Sequence, residues 1–414
     1  MSEAAQCVDD RASHDERTLS SAETLLIAIA CGALAANLYY AQPLVDLIAP
    51  SVGLGNAAEG MIVTATQIGY AAGLILLLPL GDLLDSRKLV LATMLVNIVA
   101  ILGMVATTSE ASFFAAMLFV GASSTAAQLL VPLSATLTPQ HRRGAVVGRV
   151  MSGLLMGILL ARPAASFLAD HIGWRGVFVA SAGLLLVIGI FLMRMLPSHQ
   201  SQTRQSYGKL LRSLATLLAT EPVLRRRAFY HAMMFAAFSM FWTGAPLLLL
   251  SDAYGFSNSQ VALFALVGVL GVFAAPVSGA LADRGHGYAG TIAALSIAIA
   301  AFALAIFGNH SLLALLAAGV LLDLGVQGNM VISQREIFAL DPEIRNRLNA
   351  VYMATFFCGG AVGSALVSPL MHYFGWNLFA IVGTAFPVVA LVAFFLFEPS
   401  PSETPRAETA SDVA

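Results

Sequence analysis

The chain has 414 residues, 58% hydrophobic and 11% charged, with 21 Lys and Arg against 23 Asp and Glu. Soluble domains carry about a quarter charged residues, so this chain cannot cover itself with a polar surface, and a soluble globular protein is excluded. The net charge of −2 says little, because the charges are sorted by location rather than by excess; no nucleic-acid partner is expected.

Residues 1–21 are polar and mixed in charge, with neither a basic leader nor a cleavage site, so a retained cytoplasmic tail is expected rather than a signal peptide. A hydrocarbon core of about 30 Å needs about 20 helical residues. Runs of that length fall at 22–46, 59–80, 89–107, 111–136, 146–168, 176–196, 228–250, 260–281, 288–307, 311–336, 347–370 and 376–397, which makes twelve. Between the sixth and seventh, residues 197–227 turn polar and basic, while Leu210, Leu211, Leu214, Leu217 and Leu218 recur at helical spacing. That pattern predicts an amphipathic helix lying on a membrane surface. Beyond 397, three Pro with Ser, Thr and Glu predict a disordered cytoplasmic tail over 398–414. The expected organisation is thus all-α and polytopic: six helices over 22–196, a cytoplasmic linker over 197–227, and six more over 228–397.

Basic residues orient the spans. With both termini cytoplasmic, 19 of the 21 Lys and Arg lie on or beside the cytoplasmic side; Arg175 falls outside and Arg162 within a helix. The three cysteines, Cys7, Cys31 and Cys358, are too scattered for a disulfide frame or a metal set.

The two halves share one plan. Gly81-Asp82-Leu83-Leu84-Asp85-Ser86-Arg87 has an echo 198 positions later in Gly279-Ala280-Leu281-Ala282-Asp283-Arg284, each a short polar break between apolar runs. There the glycines Gly81 and Gly279 permit close backbone approach. Asp85 and Asp283 can cap a helix, and Arg87 and Arg284 can pair with those carboxylates or with lipid phosphate. Arg143, Met151, Gly157 and Gly173-Trp174 match Arg345, Met353, Gly359 and Gly375-Trp376 at an offset of 202, and Tyr39 to Leu44 lines up with Trp242 to Leu247. Such a parallel repeat places a site between halves that can open to either side. Gly157 and Gly359, with Gly148, Gly153, Gly360 and Gly363, read as surfaces for close helix packing.

Over residues 20–398 the sequence resembles the major facilitator superfamily, through the two glycine–aspartate loops, the 6+6 layout with a basic linker and the repeated Gly-Trp. Asn37 to Leu44 and Leu322 to Gln327 are similar to bacterial drug and sugar exporters of the proton-antiporter type. The chain departs from the pattern at Ser86 and Gly287, where basic residues are usual, at Ile158, where proline is, and at Ala161-Arg162, where paired glycines are. The resemblance implies a central cavity lined by the first, fourth, seventh and tenth helices.

Ionisable groups deep in a membrane cost roughly 2.5–3.5 kcal/mol each at mid-depth and mark function or a partner. Asp323 lies near the middle of the tenth run, followed by Gln327 and Asn329. It is the candidate proton-coupling group, with a permanent structural role and direct substrate contact as the alternatives. Arg162 is expected to bond carbonyls near Pro163, to snorkel outward, or to pair with Asp323 as a switch. Asn37, Tyr39, Tyr40, Gln42, Gln67, Tyr70, Gln128, Trp242 and Thr243 are candidates to face the cavity, each tyrosine having interhelical packing as its alternative. So little charge suits a neutral or amphipathic solute. Asp46 is expected at the outer surface and His231 at the inner one.

No GxxxxGK[ST] motif occurs, and no His, Cys and carboxylate cluster shares a face. The expectation is a monomeric secondary transporter of the bacterial cytoplasmic membrane, without cofactor or metal, moving a small molecule by proton-coupled efflux. Uptake by symport or facilitation is the first alternative, and a non-transporting sensor or membrane enzyme the second.

Overall fold

The computed structural model describes residues 19–55, 58–197, 206–341 and 344–399, and at 141, 269, 271–273, 275–276 and 282–283 the backbone alone. Most of the two expected tails and residues 198–205 of the expected linker lie outside the described residues. All regular elements among them are helical.

Helix α1 (Ser21–Ala36) starts at a capping box in which Ser20 accepts from the Glu23 N–H at 3.2 Å and Glu23 accepts from the Ser20 N–H at 2.8 Å. It ends ten residues short of the expected 46. The chain then turns over 37–41 into a 3-10 segment at Gln42–Leu44, where Pro43 sits in the first turn and needs no N–H partner, and into a short α2 (Val45–Ser51). Helix α3 (Gly60–Leu76) crosses back and tightens into a 3-10 turn at Leu78–Asp82. Helix α4 (Ser86–Ala106) is capped by Asp85, whose carboxylate accepts from the Lys88 N–H at 3.0 Å. Helices α5 (Glu110–Ser124) and α6 (Ala126–Thr136) together make the fourth crossing.

Helix α7 (Gln140–Met195) has 56 residues, about 84 Å at 1.5 Å per residue and far too long for one crossing. It breaks at Gly173, φ 68° and ψ 166°, a conformation essentially reserved for glycine. After α8 (Tyr207–Thr220), which buries Leu210 and Leu214, α9 (Pro222–Leu250) opens on a proline. The eighth run is three pieces: α10 (Asn258–Ala265), a 3-10 stretch at Leu266–Phe273, and α11 (Ala274–Asp283). Then come α12 (Gly287–Ala305), α13 (Leu312–Phe338) and α14 (Arg345–Phe397), which breaks at Gly375 with φ 76° and ψ −179°.

The repeated Gly-Trp is thereby explained. Each glycine supplies the reversal between the last two crossings of its half, and each tryptophan packs the turn. Trp174 meets Phe113 and Phe178 edge-on, and Trp376 donates its indole N–H to the Ala305 carbonyl at 2.6 Å. Eight helical stretches among the described residues are long and apolar enough to span a bilayer. The two broken ones count twice, and α1 and the α10–α11 run complete twelve crossings.

Within each half, small residues bring backbones into contact. A Cβ on Gly157 would lie 2.2 Å from the Gly32 carbonyl oxygen of α1, and one on Gly359 would lie 2.1 Å from the Ala232 oxygen of α9. The loop glycines are different. A Cβ on Gly279 would meet nothing nearer than Val331 Cγ1 at 3.8 Å, and one on Gly81 only the flexible tip of Leu129 at 3.0 Å. Close backbone approach is therefore not what places glycine there.

Candidate functional site

The two halves meet along a seam. We call the side with Gly173 and Gly375 the turn face and the side with α8 the linker face. From the turn face inward, α3 is fastened to α14: the Gly60 N–H donates to Ser368 Oγ at 2.7 Å, and Thr64 Oγ1 lies 2.9 Å from Ser364 Oγ. One turn deeper, Gln67 Nε2 donates to Ser239 Oγ of α9 at 2.7 Å, and Tyr70 packs on Phe357 with ring centroids 4.4 Å apart. On the other flank, the Asp170 carboxylate accepts from the N–H of Ser259 at 2.8 Å and from its hydroxyl, at the start of α10.

Below Tyr70 the seam opens. A vestibule of about 660 Å³ spreads towards the linker face between Leu78–Asp82, the 128–136 stretch and residues 345–350. Its roof is Gln128, which donates to the Tyr70 hydroxyl at 3.2 Å, and its mouth holds Arg143, Arg345 and Arg347 with Asp82.

Above that roof lies a buried charged core. Arg162, 3% exposed, donates from Nε to Gln42 Oε1 at 2.8 Å. Its Cζ lies 4.6, 5.0 and 5.2 Å from the ring centroids of Trp242, Phe238 and Tyr39, within cation–π range. Asp323, also 3% exposed, belongs to the other half and lies within electrostatic reach of Arg162 without a direct ion pair. A Cβ on Gly268 would fall 2.8 Å from Asp323 Oδ2 and 3.0 Å from Trp242 Cζ2, so the carboxylate and the indole border the same glycine notch. Arg162 Nη2, Gln42 Nε2, Trp242 Nε1, Thr243 Oγ1, Asp323 Oδ2 and both amide atoms of Asn329 are buried without a hydrogen-bond partner. Native proteins leave few such atoms.

A family model described as Major Facilitator Superfamily matches residues 25–334. The chain belongs to the Major Facilitator Superfamily. It is 39% identical over 382 residues to the putative uncharacterized transporter YgaY of Escherichia coli K12, covering 91% of this chain and 96% of that protein. It is 25% identical over 406 residues to the inner membrane transport protein YdhP of the same strain, covering 92% and 97%. A probable sugar efflux transporter of Haemophilus influenzae PittGG is 22% identical over 380 residues, covering 89% and 92%. Among solved structures, a bacterial homologue of the lysosomal transporter Spinster, inward-facing and occupied, superposes with TM-score 0.72 at 14% identity, over 91% of this chain and 96% of that one. The fold is that of a Major Facilitator Superfamily transporter, a multi-pass membrane protein and not an enzyme.

The residues singled out from the sequence of this superfamily member separate into three groups. Tyr39, Gln42, Arg162, Trp242 and Asp323 gather in the charged core, with Gln67, Tyr70 and Gln128 lining the seam towards the vestibule. Arg162 neither snorkels outward nor bonds carbonyls near Pro163, because Gln42 and three aromatic rings hold it inside. Thr243 and Asn329 are fully buried, and Gln327 is half-buried.

Asn37 and Tyr40 are corrections. Asn37 Nδ2 donates to Asn97 Oδ1 at 3.1 Å and its Oδ1 accepts from Ser181 at 2.7 Å, while Asn97 donates to Ser123 and Ser124. That network fastens four crossings of one half to each other. Tyr40 packs edge-on against Phe178 and lines an apolar groove on the flank of α1 and α7, away from the vestibule.

In the loops, Asp85 caps α4 as expected, and Arg87 donates to the Met193 carbonyl at the end of α7. Arg284 is exposed, and the side chain of Asp283 lies outside the described residues. His231 is fully buried within the protein and bonded to the Tyr352 hydroxyl. Nearby, Glu398 pairs with Arg226 at 2.9 Å and Arg227 at 2.6 Å, tying the end of α14 to α9.

Sequence reasoning missed Thr64, Ser364, Ser368, Ser239 and the Asp170–Ser259 contact. Gly60, Thr64 and Gln67 recur at i, i+4 and i+7, and Ala361, Ser364 and Ser368 at i, i+3 and i+7, each a stripe of small or polar residues. In an otherwise apolar helix such a stripe faces another helix.

Proposed function

We propose that this chain is a proton-coupled secondary transporter that exports a small organic solute by alternating access, with Asp323 as the group that takes up and releases the proton. One observation carries the reading: a buried carboxylate with an unpartnered oxygen sits in the seam between halves, facing an arginine of the opposite half. Rocking of the halves alters the spacing between these two charges, so the charge state of Asp323 and the conformation are thermodynamically linked.

The linker face is taken as cytoplasmic, as the distribution of Lys and Arg favours. The seam contacts then close the outside and the vestibule opens to the cytoplasm, an inward-facing state. The likeness to an inner membrane transport protein supports the cytoplasmic membrane as the location, and the likeness to a probable sugar efflux transporter supports export. One chain encloses the whole seam, which supports a monomer as the working unit.

The test is substrate-driven proton flux in proteoliposomes carrying an internal pH dye. Wild-type protein is expected to acidify or alkalise the lumen only when substrate and proton gradients are coupled, and Asp323→Asn to lose this substrate-driven proton movement. Coupled flux unchanged in Asp323→Asn would remove this residue from the mechanism. Proton and substrate moving in the same direction would replace export with symport. Cysteine labelling at residue 209 by an impermeant reagent on intact cells would overturn the orientation.

A further inference from the structure

The unpartnered atoms of the charged core say what kind of solute fits it. Arg162 and Asp323 are oppositely charged, buried and close, yet they do not close into an ion pair; Trp242 lies against both. Removing one partner from a buried ion pair is strongly destabilising, because the remaining charge is left uncompensated. Nη2 on the arginine and Oδ2 on the aspartate are buried without a well-formed hydrogen bond, the indole of Trp242 lying beside the carboxylate. Beside Nη2, Gln42 is held by its Oε1 on Arg162 Nε and keeps both Nε2 donors free. The core thus offers a cluster of donors on one flank and an acceptor on the other, with an aromatic ring at their side.

We infer that the transported solute is a small zwitterion of the amino-acid type, its carboxylate held by Arg162 and Gln42 and its ammonium by Asp323, with the apolar part against Trp242. This rests on the transport reading above. The alternatives leave a charge unanswered. A neutral sugar would have to desolvate both charges without neutralising either, a lone anion would repel Asp323, and a lone cation would repel Arg162. A zwitterion answers both at once and adds no net charge to the membrane interior, where charge is costly. Thr243 and Asn329, with buried polar atoms of their own to satisfy, are further positions for selecting the side chain. In the present conformation the core is shut, and Gln128 and Tyr70 separate it from the vestibule.

Counterflow exchange in proteoliposomes tests this without requiring proton coupling. Vesicles are loaded in turn with each of the twenty common L-amino acids, and entry of the same labelled compound is followed. At least one amino acid is expected to exchange. Its N-acetyl derivative, which lacks the cation, and its methyl ester, which lacks the anion, are expected to exchange at least tenfold more slowly. Arg162→Gln is expected to reduce exchange of the zwitterion more than tenfold while Arg162→Lys retains part of it, both variants eluting as monodisperse protein. Exchange of D-xylose or L-arabinose with no amino acid exchanging overturns the inference, as does equal exchange of amino acid and methyl ester. Silence from the whole panel with folded wild-type protein also overturns it. The two readings fail separately: sugar exchange accompanied by Asp323-dependent proton flux keeps the coupling and discards the zwitterion. Amino-acid exchange with no proton flux does the reverse.

Discussion

Arg143 and Arg345, 202 positions apart, do the same job in the two halves. Arg143 Nε donates to the Ala135 carbonyl at 2.9 Å, and Arg345 Nε donates to the Phe338 carbonyl at 2.9 Å. Each guanidinium donates to a carbonyl in the last turn of α6 or α13, and each places positive charge at the negative end of a helix. Both also line the vestibule mouth.

The first prediction concerns that pair. Arg143→Ala and Arg345→Ala should each cost about 0.3–1 kcal/mol, and the effects should add because the two bonds share no partner. Thermal melts of the detergent-purified single and double variants measure this. A double variant no less stable than wild type would show that the bonds contribute nothing.

A second prediction uses the helix crossings. Gly157→Ala and Gly359→Ala would force a Cβ to 2.2 and 2.1 Å from carbonyl oxygens that belong to the neighbouring helix backbone. Helices must separate to relieve this, and overpacking of this kind costs about 1–3 kcal/mol. Gly148→Ala, with nothing within 4 Å of the new atom, should be close to neutral. Melting temperature and yield of folded protein should therefore fall for the first two variants only.

The seam on the turn face gives a third. Thr64 Oγ1 and Ser364 Oγ are 2.9 Å apart across the halves, so cysteines there fall within reach of a disulfide. With the native cysteines replaced, Thr64→Cys/Ser364→Cys should cross-link under oxidant, and transport should stop until a reductant is added. Full transport by the cross-linked protein would mean that this seam does not open in the cycle.

A fourth concerns pH. Glu59 stands just ahead of α3, and partial burial, reinforced by the nearby charge of Asp46, pushes its carboxyl from the ordinary 4.5 up to about 7. The folded state then holds a proton that the unfolded chain has lost, so stability falls as pH rises between those values. Melting temperature should decline from about pH 5 to 7 in the wild type, and Glu59→Gln should flatten that decline. An identical slope in the variant would assign it to other groups.

How much of this was legible in the sequence depends on the range of the interaction. The spans, the duplication and the Gly-Trp reversals could be read because each is a local matter. A bilayer imposes a length on every apolar run, and a residue forced to φ 68° or 76° must be glycine wherever it occurs. Asp323 and Arg162 were legible as candidates because charge is rare in such runs. Their partners were not. Gln42 could be named as a residue facing the cavity but not as the arginine's acceptor, because the first helix ends at Ala36 and the chain reaches Gln42 through an irregular turn. Asn37 and Tyr40 stand in the same short stretch, yet one ties four crossings together and the other faces a flank.

The sequence alone, then, determined a membrane fold of two like halves, since hydrophobic length, glycine angles and basic loops act within one helix or its neighbour. Only the tertiary structure decided which polar groups share the seam. At a helix break a rotation of one residue turns a side chain by about 100°, and no periodic pattern carries across it.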